Sequence, residues 1–150
     1  MSQHCYPFPR PSVTVDAVIL RPQGDRYALL LIERAKAPFA GQWALPGGFL
    51  DMDEDLQTAA QRELQEETGL PITRPMVQVG AYGAVNRDPR GRTITVAYGL
   101  VLTEEEAQAP VQGQDDARRA EWHLIDALPT LAFDHAQVVQ DALALLLARK

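Results

Sequence analysis

The apolar positions fall into blocks with different spacing. Val13–Leu20 mixes β-branched and aliphatic residues, Tyr27–Ile32 does the same, and Gly24-Asp25 between them predicts a hairpin. Ala37–Gly48 is broken by Pro38, Gly41, Pro46 and the Gly47-Gly48 pair and reads as a loop. Residues 54–68 contain neither Gly nor Pro and read as a helix. Gly69, a left-handed cap residue, and Pro71, a breaker, would end it. Met76–Tyr82 and Thr93–Leu102 are β-rich and flank a basic turn, Asn86–Arg92. After a polar loop over Glu104–Gln114 comes a short strand at Glu121–Leu124. His135–Arg149 repeats Val138, Val139, Ala142, Leu143, Leu146 and Leu147 close to the helical period, which predicts a helix docked on a sheet. At the front, Pro7, Pro9 and Pro11 alternate with Tyr6 and Phe8, so residues 1–11 read as an extended arm. Without a repeat or a linker, residues 12–150 read as one α+β domain.

The first helix contains a physical conflict. With Leu56 placed at zero on a helical wheel, Ala59, Ala60 and Leu64 mark an apolar arc centred at about 10°. Glu63, at about 340°, and Glu67, at about 20°, lie inside that arc, and Glu66 lies on its edge. Like charges one turn apart destabilise a helix, and an inward-facing carboxylate loses solvation unless something pairs with it. Arg62 falls to one side. Hard divalent cations with oxygen ligands satisfy such a group, and Mg²⁺ is the expected one. Asp51 and Glu54 have capping-box spacing, with Asp53 a competing N-cap. Gly47 and Gly48 let the backbone approach a metal or a phosphate closely.

Composition sharpens this. The 150 residues have a formal net charge of −6. All of it is local: Gly48–Leu70 holds Asp51, Asp53, Glu54, Asp55, Glu63, Glu66 and Glu67 against Arg62, and the rest of the chain balances. With no basic excess to meet phosphates, binding to a nucleic acid polymer is not expected. Cys5 has no second cysteine to pair with, no apolar run reaches membrane-spanning length, and Met1–Arg10 lacks an apolar signal core. A cytoplasmic setting without membrane contact is therefore expected.

The residues Gly48, Glu54, Arg62, Glu63, Leu64, Glu66, Glu67, Gly69 and Leu70 match the signature of the Nudix hydrolases, G-x5-E-x7-R-E-U-x-E-E-x-G-U, at every fixed position. The segment QWALPGG at Gln42–Gly48 is similar to the approach that precedes this box in the family. The resemblance implies an α/β/α sandwich with a mixed sheet. It also implies hydrolysis of a nucleoside diphosphate linked to another moiety, with Mg²⁺ or Mn²⁺ as cofactor. By position it implies metal binding by Glu63, Glu66, Glu67 and the Gly48 carbonyl, with Arg62 and Glu54 orienting them. The general base would be Glu63 or a loop acid among Glu104, Glu105, Glu106, Asp115 and Asp116.

Substrate choice lies outside the box. Arg87, Arg90 and Arg92, around Asp88 in the turn NRDPRGR, suit phosphate oxygens. Phe133 is a candidate substrate contact, and His135 reads as a surface or capping residue. The segments TVDAVIL, WALPGGF, DPRGR, DDARRAEWHLID and LAFDH together resemble the branch that holds ADP-ribose pyrophosphatases and ADP-ribose-responsive repressors. That implies ADP-ribose as the small-molecule substrate, giving AMP and ribose 5-phosphate. A nucleoside-triphosphate pyrophosphohydrolase is the alternative. A non-catalytic sensor is disfavoured by the intact box and by the expectation that no DNA-binding segment follows Lys150. A homodimer is compatible with the Pro-rich arm but not required by it.

Overall fold

A computed structural model describes residues 5–148. The chain runs β1 (Ser12–Gln23), β2 (Arg26–Arg34), β3 (Trp43–Ala44), β4 (Gly47–Phe49), α1 (Leu56–Thr68), β5 (Val77–Tyr82), β6 (Thr93–Val101), a 3₁₀ turn (Glu106–Gln108), β7 (Ala117–Leu124) and α2 (His135–Leu147). The first four residues of the expected arm and the expected helix end at Arg149 lie outside the described residues. Residues 5–11 are exposed and form no regular element, with the Arg10 guanidinium over the Tyr6 ring.

The sheet is mixed. Its main path is β3-β2-β1-β6-β5, with β4 added to β1 and β7 to β2. β1 and β6 run parallel, in register from Ser12–Thr93 to Leu20–Val101, and the other strand pairs among the described residues are antiparallel. The apolar run of β1 is buried on both faces, and its alternation sorts side chains between two layers. Val15, Ala17 and Ile19 pack with Ala59, Ala60 and Leu64 of α1. Val18 and Leu20 pack with Val138, Val139 and Ala142 of α2. The two helices therefore cover opposite faces, which is the expected α/β/α sandwich. Among the described residues no helix is long and apolar enough to cross a membrane.

Three local expectations change. The loop expected at Ala37–Gly48 contains β3, and β4 opens on its Gly47-Gly48 pair. The strand expected at Glu121–Leu124 begins at Ala117, because β7 follows β2 along its length. The first helix starts at Leu56 behind Asp55, whose side chain makes no capping bond; Glu54 instead accepts the Asp51 amide at 3.0 Å. Its end is as expected, with Gly69 left-handed at φ 79°.

Candidate active site

β4 places the site. Its antiparallel pairing sets Gly47 opposite Asp16 and Gly48 opposite Val15, directly over the inward face of α1. A Cβ on Gly48 would fall 2.5 Å from the Glu63 carboxylate carbon, so glycine is what lets that carboxylate sit against the strand. The Gly47 amide donates to Glu67 Oε1 at 2.8 Å. The wheel geometry holds: Glu67 is 6% exposed, and Leu64 beside it is fully buried.

Electrostatics follow from that burial. Glu67 is pushed up to about 8, first by desolvation and then by Glu63, Asp16 and Asp116, with the Gly47 amide opposing. Burial also raises Glu63, against the pull of Arg62. Arg62 is the hub of the helix's outer edge. Its Nε and Nη2 donate to Glu54 at 2.9 and 2.6 Å, and its Nη1 to Glu63 at 2.8 Å and Glu66 at 2.9 Å. Glu66 is exposed and meets Glu63 through this shared nitrogen, whereas Glu67 stands deeper. Among the described residues no three acidic, histidine or cysteine side chains converge as a finished metal cage. The donor set nonetheless fits a divalent cation: all oxygen, with a buried carboxylate beside other acids and a single N–H to satisfy it.

Glu63 and Glu67 line one side of a cleft of about 390 Å³, and Glu66 stands outside its lining. Arg34 at the end of β2, Lys36 just beyond it, and Arg87 and Arg90 give it basic groups; Asp115, Asp116, Phe49, Phe133 and His135 also line it. The sequence reading missed Arg34, Lys36, Phe49 and Asp16. Of the loop acids, only Asp115 and Asp116 reach the cleft, and Asp116 is 3.1 Å from Lys36 Nζ. Glu106 is drawn down to about 2 by Arg74, which holds it with two hydrogen bonds at 2.8 Å.

The turn Asn86–Arg92 does not present three equivalent arginines. Arg87 is spent on Asp134, at 2.9 and 2.6 Å, with its side chain 4% exposed. Arg92 is exposed and reaches the Ala84 carbonyl instead of the cleft. Arg87 and Arg90 both line the cleft, but only Arg90 of the two keeps its side chain substantially open, at 40% exposure. Asp88, itself buried, aims it with two side-chain bonds at 3.0 and 2.7 Å.

His135 is not a surface residue. It is buried at the start of α2, and its Nδ1 accepts the Leu45 amide at 3.0 Å. That leaves Nε2 facing Asp16 Oδ1 at 3.6 Å, while Thr95 donates its hydroxyl to Asp16 Oδ2 at 2.6 Å. Burial alone would raise Asp16; His135, Thr95 and Arg87 together outweigh it and hold Asp16 below the usual carboxylate range.

The NUDIX domain family model matches residues 10–142. The chain belongs to the Nudix family. This Nudix domain is 40% identical over 131 residues to an ADP-ribose pyrophosphatase of Methanocaldococcus jannaschii, covering 87% of this chain and 72% of that one. It is 38% identical to the ADPR responsive transcriptional repressor NtrR of Acinetobacter baylyi, covering 91% of this chain but only 55% of the repressor. Among solved structures, the Nudix domain of Shewanella oneidensis NrtR in complex with ADP ribose matches with a TM-score of 0.80 at 33% identity. That match covers 90% of this chain and 88% of that one. The Nudix sandwich expected from the signature is thus the fold of the domain.

Proposed function

We propose that this Nudix domain hydrolyses ADP-ribose to AMP and ribose 5-phosphate, with Mg²⁺ or Mn²⁺ held by Glu63, Glu66, Glu67 and the Gly48 carbonyl. The observation that carries the reading is the two-sided cleft. Buried acids over β4 suit a cation, and Arg34, Lys36 and Arg90 suit the phosphates of a diphosphate. A divalent cation bound there supplies charge neutralisation for the diphosphate and Lewis acidity toward a water. The chain's own residues do the rest. Gly47 and Arg62 fix the Glu67 and Glu63 carboxylates, Glu54 fixes Arg62, and Arg90 grips a phosphate oxygen. Phe133 borders the substrate. The general base in this reading is Glu63, Asp115 or Asp116, since these candidate acids line the cleft.

The relatives support the substrate. One matched relative is named an ADP-ribose pyrophosphatase, and one matched Nudix structure contains ADP ribose. Another, a bifunctional NMN adenylyltransferase/ADP ribose pyrophosphatase of Francisella tularensis, contains AMP and a Mn ion; it is 30% identical, and the match covers 90% of this chain and 42% of that one, at TM-score 0.72. A cytoplasmic setting belongs to the same proposal, and the exposed free thiol of Cys5 suits a reducing compartment. The deciding experiment is a substrate panel with Mg²⁺. AMP released from ADP-ribose is the expected result. Pyrophosphate released from a nucleoside triphosphate, with ADP-ribose untouched, would assign the alternative activity. Tight ADP-ribose binding without turnover would assign a sensor.

A further inference from the structure

Phe49 is an anomaly of the cleft. It follows Gly48 in β4, in register with Thr14, so its place beside the acids is fixed by the sheet. Yet its side chain is not taken into the core, and the residue is 45% exposed. The Arg90 guanidinium lies over its ring at 4.9 Å and reaches the Phe133 ring at 5.6 Å. Asp88 locks that guanidinium through both carboxylate oxygens, so the plane behind Phe49 is held rather than free to swing. Phe133, by contrast, is already crowded. Phe39 stands edge-on to it at 4.8 Å, His135 lies at 5.2 Å, and Arg34 lies over it at 5.1 Å.

We infer that Phe49, backed by Arg90, is the platform on which the base of the nucleotide stacks. The inference rests on the proposed reading of the site. A benzene ring offers no hydrogen bond to a sugar hydroxyl and no charge to a phosphate. Of the parts of a nucleoside diphosphate sugar, only the base has an apolar planar face to match it. The guanidinium behind the ring adds cation–π stabilisation to the same stack. This sets the orientation of the substrate: the nucleoside half lies at Phe49, one residue from Gly48, and the diphosphate reaches back over the acids. It also puts the base contact on a residue of β4 rather than on Phe133, whose surroundings are filled.

The test is calorimetric binding of AMP and, separately, of ribose 5-phosphate to the intact protein, so it needs no turnover. Phe49→Leu weakens AMP by about tenfold or more, whereas Phe49→Tyr, which keeps a ring, stays within about threefold of wild type. Ribose 5-phosphate, which has no base, binds all three proteins alike. AMP binding by Phe49→Leu at wild-type strength overturns the inference, as does equal loss of both ligands or a wild type that binds no AMP. If Phe49→Leu selectively loses AMP while the wild type leaves ADP-ribose intact, the platform stands and the proposed reaction falls.

Discussion

Gly48 and Glu63 share one space: a methyl group at residue 48 would lie 2.5 Å from the Glu63 carboxylate carbon. What it meets is the far end of a flexible side chain, so Gly48→Ala displaces the carboxylate and leaves the backbone in place. Activity should fall by about 100-fold or more, as for an angstrom-scale misplacement of a reacting group, with little change in Tm. Gly47→Ala should behave oppositely. There the added atom meets the Val15 carbonyl and the Asp16 backbone and side chain, so the β1–β4 pairing itself must give way. Thermal melts and turnover measured on both variants separate the two. A Gly48→Ala protein with wild-type kcat would remove Glu63 from the site.

Burial of Glu67 gives the metal-free protein a definite pH dependence. Its carboxyl is raised from the ordinary 4.5 to about 8, so across that window the folded chain holds a proton that the unfolded chain has lost. The contribution is therefore stabilising at low pH and disappears as pH rises towards 8. Without divalent cations, Tm should be lower at about pH 8 than at about pH 5.5, and Glu67→Gln should flatten that slope. Mg²⁺ added at the upper pH should restore Tm in the wild type, since a ligand that binds only the folded state stabilises it. A wild-type melt that matches Glu67→Gln at every pH would contradict the buried-acid account.

How far the sequence reveals this site depends on whether the signal is local. The wheel placed Glu63 and Glu67 inward because Leu56, Ala59, Ala60 and Leu64 mark the helix face within two turns. β3 and β4 are two and three residues long, and Trp43-Ala44 and Gly47-Gly48-Phe49 have little strand character of their own. They exist because β1 and β2 pair with each other only from Leu20–Leu29 to Gln23–Arg26, which leaves backbone groups further along each strand for β4 and β3 to meet. Asp16 left a faint trace as the one acid within the apolar run of β1. Its partners Thr95 and His135 are distant in sequence, as is the Asp134 that takes Arg87. Those pairings depend on which turn the sheet brings to which helix, and no spacing rule encodes that.

The turn Asn86–Arg92 yields a contrast between arginines that composition alone makes equivalent. Arg87 is buried and held by two hydrogen bonds to Asp134 at the start of α2, so Arg87→Met leaves a carboxylate without its partner. Loss of charged hydrogen bonds of this kind should lower Tm on the order of 5 °C. Arg92→Ala, at an exposed position, should change neither Tm nor KM. Arg90→Ala should raise KM for ADP-ribose with Tm nearly unchanged. An Arg87→Met protein as stable as wild type, with KM raised as much as in Arg90→Ala, would restore the expectation that both grip substrate.

Asp16 and His135 should act as one unit. His135 accepts the Leu45 amide on one nitrogen and turns the other toward Asp16, which stands opposite Gly47 in the β1–β4 register. Gly47 in turn donates to Glu67. The pair therefore holds the segment from Leu45 to Gly47 from below. Asp16→Asn keeps the shape but puts an amide donor where only acceptors serve Thr95 and His135. His135→Leu removes the acceptor for Leu45. Each change should lower Tm and kcat. Because each breaks the same support, the double variant should lose much less than the sum of the two, with a coupling of roughly 1 kcal/mol or more. A double-mutant cycle on thermal stability measures it directly, and strictly additive losses would mean that the two residues stabilise the site independently.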